Sequence, residues 1–187
     1  MLDNTSQKIY AFALAKLSSA DIPEKKLQEK LQEKFITKNK KFTKNIYLSD
    51  TEEQKEEILE KIQEIINLLK SQKYLDDYRF CENFIRWRKE AMPRGKYMII
   101  QELIQKKIST DLATEMCEKN ISYQDEKKMC NFLFLQKLEK LEKKYIYSVE
   151  INLSQQEIQN IIKQKLFTYL AGKQFSYSLM SEIWDTL

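Results

Sequence analysis

Two glycines and two prolines among 187 residues leave this chain almost without the punctuation that strands joined by tight turns require. An all-β architecture is close to excluded. The apolar residues, 42% of the chain, fall into amphipathic rather than continuous runs, so the sequence reads as helices. No stretch approaches the roughly 20 apolar residues of a membrane span. Met1 to Lys8 is polar and carries no apolar signal core, so a cytoplasmic protein is expected.

Histidine is absent. That removes His-based triads, imidazole zinc sites and imidazole proton shuttles, and no enzyme activity or cofactor is expected. Cys81, Cys117 and Cys130 are odd in number and widely spaced, with no C-x-x-C pair. They read as inert buried thiols in a reducing compartment.

Periodicity places a first helix at about 6–19, with Tyr10, Leu14 and Leu17 on its stripe. Asp21 as N-cap and Pro23 then open a second helix carrying Leu27 and Leu31. Lys34 to Ser49 holds five lysines and no acid and reads as a basic loop. Ser49 or Asp50 caps a third helix with Ile58, Ile62, Ile65 and Leu69 on one face. A fourth opens at Asp76 or Asp77, and its stripe Phe80, Phe84, Trp87, Ala91 predicts a buried face, with Arg79 and Arg86 opposite. Asp76 and Asp77 read as helix-start carboxylates rather than a metal or acid/base pair. Pro93 and Gly95 stop this helix. Another follows through Ile99, Ile100, Leu103 and Ile104, then a short one from Ser109 to about Lys119. Helices at about 124–144, 155–172 and 176–186 complete nine, with 148–154 as a connector.

One pattern recurs three times: Leu27, Leu31, Lys34, Ile36, Thr37; Ile99, Leu103, Lys106, Ile108, Ser109; Leu166, Leu170, Lys173, Phe175, Ser176. It divides the chain into three three-helix units, 1–73 with the basic loop 34–49, 74–121 and 122–187. Units too small to bury enough surface alone would stack into an elongated body.

Charge is uneven. Residues 1–110 hold 22 Lys and Arg against 17 Asp and Glu, and the remainder 10 against 11. All four arginines, Arg79, Arg86, Arg88 and Arg94, lie within 16 residues. With Lys96, Lys106 and Lys107 they form the candidate binding patch, suited to phosphate or to an acidic protein surface.

The run YLDDYRFCENFIRWR from Tyr74 to Arg88, followed by Gly95, Ile99, Gln101-Glu102-Leu103 and Lys106 to Ser109, resembles the signature of bacterial RecX proteins, regulators of the RecA recombinase. The resemblance covers roughly Lys8 to the end. It implies an all-α fold, a curved array of three tandem three-helix repeats. It also implies a non-enzymatic protein that binds the RecA filament and restrains its ATPase, extension and strand exchange. A monomer is the simplest expectation, and single- or double-stranded DNA is a second candidate partner. Where the family often places a helix-ending Gly, this chain has Phe35, Lys107 and Gln174. Met98 and Ile100 stand where related sequences often carry Arg. The alternative drawn from the residues alone is a direct DNA-binding module of tandem homeodomain-like units.

Overall fold

The computed structural model describes residues 2–36, 52–145 and 154–186. Among these residues it contains nine helices and no strand. The helices are α1 (Asn4–Ser19), α2 (Glu24–Phe35), α3 (Glu52–Ser71), α4 (Asp77–Glu90), α5 (Lys96–Gln105), α6 (Thr110–Asn120), α7 (Tyr123–Tyr145), α8 (Gln155–Ala171) and α9 (Tyr177–Trp184). The fold is all-α, as the lack of turn residues required. No helix among the described residues is long and apolar enough to cross a membrane.

Local side-chain chemistry sets most of the boundaries. Asp3 accepts the Ser6 N–H at 2.7 Å and so starts α1 two residues before the periodicity alone suggested. Asp76 caps α4 through the Arg79 N–H. Ser122 and Asp125 cap each other's backbone N–H groups ahead of α7, and Ser154 with Glu157 forms a full capping box on α8. Ser176 caps α9.

The start of α2 departs from expectation. Its N-cap position is Pro23, whose ring carries no hydrogen-bonding group, rather than Asp21. Instead the Glu24 N–H donates to Asp77 Oδ1 at 2.8 Å, a cap delivered from 53 residues away. Asp77 thus serves α2 while its neighbour Asp76 serves α4. Half-burial raises the Asp77 carboxyl above its ordinary value, and the Glu24 N–H partly offsets this.

Helix ends correct the expected left-handed positions in part. Lys107 (φ 79°) and Gln174 (φ 59°) do adopt that conformation without glycine. Phe35 does not: it is the last buried residue of α2, and Ile36 follows in right-handed geometry. The third left-handed residue is Lys73 (φ 59°), where the Tyr74 N–H turns back to the Leu69 carbonyl. The expected Ser49 or Asp50 cap lies outside the described residues. So do the basic loop beyond Ile36 and the 148–154 connector up to Ser154.

The described chain forms two compact units, residues 1–81 with 104–109, and 82–103 with 110–187. In the first, α1 packs on α2 and α3, and α2 on α3, around Ile9, Ala13, Leu27, Leu31, Ile62, Ile65, Ile66 and Leu69, all sealed from solvent. Apolar residues recurring every three to four positions dictate this, and each such side chain fully buried contributes about 1.5–3 kcal/mol. In the second, α7 packs on α8 and α9 around Cys130, Phe134, Leu166, Leu170 and Ile183.

The buried face of α4 is not the one its aromatic spacing suggested. Phe80 is buried, but Phe84 is only half-buried, Ala91 is exposed and Trp87 is 44% exposed. Cys81 and Ile85 take the interior, so the helix is turned by about a quarter rotation from the aromatic stripe. Two apolar series interleave in α4. The narrower side chains went inside and the largest ring stayed at the surface.

Candidate interaction surface

The seven cations singled out by sequence divide between the two units. In the first, Arg79 sits on the exposed side of α4. Its guanidinium donates to the carbonyls of Lys73 (3.0 Å) and Tyr74 (3.3 Å), closing the end of α3. Lys107 pairs at the surface with Glu29 at 3.0 Å. Lys106 is half-buried and lines a cleft of about 180 Å³ with Lys26, Lys30, Ile22, Pro23 and Phe80.

In the second unit Arg86 is exposed, and Asn83 Oδ1 accepts from it at 2.8 Å. Arg88 is the opposite case. Its side chain is 12% exposed and grips Glu102, itself 17% exposed, with Nη2 to Oε1 at 2.7 Å and Nε to Oε2 at 2.6 Å. The second contact is an ion contact not aligned as a hydrogen bond, which leaves both its atoms without a hydrogen-bond partner. The guanidinium also stacks on Trp87 at 4.5 Å and on Phe84 at 5.4 Å. Arg94 is half-buried and donates to the Pro93 carbonyl at 3.0 Å. The Lys96 ammonium pairs with Glu118 at 3.1 Å, and its backbone N–H donates to Glu126 at 2.8 Å.

Arg88 is therefore occupied within the fold. Arg86, Lys106 and Lys107 stand nearer the surface, and Arg79 does both jobs at once. Lys173 enters the sequence reading only as a marker of the recurring pattern, not as a member of the binding patch. It lies at the end of α8, far along the chain, yet within electrostatic reach of Arg94 and Arg88, which with burial first hold its ammonium below the ordinary value. No linear signal could have found that contact. Trp87, expected in the core, stands at the surface, and Cys81 and Ile85 are the side chains of α4 that take the interior beside Phe80. Cys81, Cys117 and Cys130 are buried and take part in no disulfide, and burial pushes Cys117 and Cys130 up to about 12.

A family model described as "RecX, second three-helix domain" matches residues 76–116, which hold α4, α5, the first part of α6 and all four arginines. A regulatory protein RecX of Oceanobacillus iheyensis is 36% identical over 119 residues, 64% of this chain and 40% of the relative. A protein of the same name from Lactococcus lactis subsp. cremoris is 29% identical over 129 residues, 68% of this chain and 43% of the relative. The chain thus spans about two fifths of the length of the curated relatives it matches. Among solved structures, RecX from Lactobacillus salivarius superposes with a TM-score of 0.67 at 24% identity, covering 100% of this chain and 98% of that one. A second structure of a regulatory protein RecX gives 0.63 at 21% identity, over 97% of this chain and 72% of the other.

Proposed function

The chain belongs to the RecX family, and from that premise we propose that it is a non-enzymatic regulator, a cytoplasmic monomer that binds the RecA nucleoprotein filament and restrains its ATP turnover, extension and strand exchange. The reading is carried by the match of residues 76–116, because that stretch also holds all four arginines and a surplus of positive charge. From Asp77 to Lys107 there are eight cations against four acids. Such a surplus attracts a polyanionic filament and speeds the encounter with it. The proposed organisation is three three-helix repeats, 1–73, 74–121 and 122–187, with the contact set drawn from Arg79, Arg86, Arg88, Arg94, Lys96, Lys106 and Lys107.

The test is the ATPase of RecA on single-stranded DNA with added protein. Wild-type chain should inhibit it. The triple variant Arg86→Ala/Lys106→Ala/Lys107→Ala leaves Arg88, the closed ion pair and the Arg79 cap in place, and should need about tenfold more protein for half-inhibition, equivalent to about 1.4 kcal/mol. Inhibition that survives the triple substitution intact removes the patch from the proposal, and a wild-type chain without effect on the ATPase removes the function.

A further inference from the structure

Three lysines from two distant stretches of the chain reach one concavity in the first unit. Lys26 and Lys30 stand one turn apart on α2, Lys106 follows the end of α5, and all three line the cleft of about 180 Å³. Its floor is apolar, made by the buried side chains of Ile22, Pro23 and Phe80. Asp21 is the acid of the lining, so the cleft sets three positive charges against one negative.

Folding by itself does not favour this arrangement. Lys26 lies in the first turn of α2, at the positive end of the helix dipole, where acids stabilise and cations oppose the helix. Lys30 and Lys106 are half-buried, and drawing like-charged ammonium groups toward one partly desolvated concavity costs free energy. Local choices that oppose stability mark functional positions, and an anion in the cleft would offset both costs.

Size and donor type narrow the ligand. A cleft of about 180 Å³ falls short of the roughly 300–1,000 Å³ that encloses a drug-sized molecule, so it takes a compact anionic group. All three cations are lysines, although the chain holds four arginines. The guanidinium fork matches a planar carboxylate, whereas an ammonium is a point charge with three donors that turn toward tetrahedral phosphate oxygens. Three separate ammonium groups are answered best by linked phosphates, each bringing its own oxygens.

We propose that Lys26, Lys30 and Lys106 hold the linked phosphates of a small di- or triphosphate, free or at the end of a larger molecule, in this cleft. The site goes beyond the regulator reading and shares only Lys106 with its contact set.

The experiment is isothermal titration calorimetry of the full chain, without RecA, at one ionic strength held with KCl. Sodium tripolyphosphate should bind saturably at one per chain, and citrate at least tenfold more weakly. Lys26→Gln/Lys30→Gln should weaken tripolyphosphate at least tenfold, whereas Lys119→Gln/Lys128→Gln, which removes equal charge from α6 and α7, should leave it unchanged. Without ligand the first variant should keep or raise the melting temperature, because it takes a cation from the start of α2. If it melts early instead, Lys106→Gln alone decides, again by weakened binding. ADP binding more tightly than pyrophosphate assigns the cleft to the phosphate end of a larger molecule, and the reverse order to free polyphosphate. No saturable binding below about 1 mM overturns the site. Equal weakening by both lysine pairs overturns it as well, since that marks a diffuse ion atmosphere. Citrate as tight as tripolyphosphate overturns the choice of phosphate, and tighter capture of oligothymidine at equal phosphate concentration overturns the choice of a small ligand. Failure here leaves the RecA ATPase result untouched, and failure of that result leaves this cleft standing.

Discussion

Gly95 and Gly172 are the chain's two glycines, and they differ in what their missing side chains permit. At Gly95 the adjacent α8 terminus occupies the space of a Cβ, and the obstruction is backbone that cannot swing aside. Gly95→Ala should therefore lower unfolding stability by about 3 kcal/mol, the upper end of overpacking costs, in urea denaturation followed by circular dichroism. Gly172 is right-handed (φ −64°) and its nearest obstacle is 3.4 Å away, so Gly172→Ala should be stabilising by about 0.5 kcal/mol in the same assay. Sequence alone marked Gly95 as a helix stop and could not tell these two apart, because the difference lies in a contact with residues 173–175. At the cysteines, burial predicts that a thiol reagent titrates none of the three groups in the native protein at neutral pH and all three in denaturant.

At the scale of elements, α4 shows how an amphipathic helix can be correctly bounded and wrongly rotated. Its N-terminus was legible because Asp76 stands where an exposed cap is needed. Its rotation was not, because Phe80, Phe84, Trp87 and Ala91 compete with Cys81 and Ile85 for the interior, and the neighbouring elements decide between them. The rotation that exposes Trp87 also carries Arg88 inward against Glu102. Charge reversal at one partner of so enclosed a pair is not required to break it. Arg88→Ala, or Glu102→Ala, should each cost about 3 kcal/mol by leaving a charge without its counter-ion, while the double replacement Arg88→Met/Glu102→Leu should recover most of the loss in thermal melts. An additive double variant would show that the two residues do not act as a pair.

At the scale of the molecule, each unit carries a carboxylate that resists protonation. Asp3 is lowered to about 2 by the Ser6 N–H and then Lys61, and Asp125 to about 2 by the Ser122 hydroxyl and N–H and then Lys89. Because these folded values lie below the ordinary 3.8, the stabilisation is in force above about pH 4 and is lost as pH falls through about 2. Asp77 has the opposite sign: with its folded value raised, its favourable contribution is present below the ordinary value and disappears as pH rises past the folded one. Asp125→Asn should accordingly flatten the loss of stability between about pH 4 and pH 2, measured by denaturant midpoints across that range. An unchanged acid limb would assign the effect elsewhere.

Local chemistry written into the sequence sets the helical class and most helix limits. Periodicity, capping side chains and the scarcity of glycine all act within a few residues of one another. Tertiary structure alone decided that Asp77 caps α2, that Trp87 faces outward, that Arg88 is spent on Glu102, and that Lys173 joins the cations of the α4–α5 turn. Each of these depends on which distant backbone arrives beside a given side chain, and a linear pattern carries no record of that.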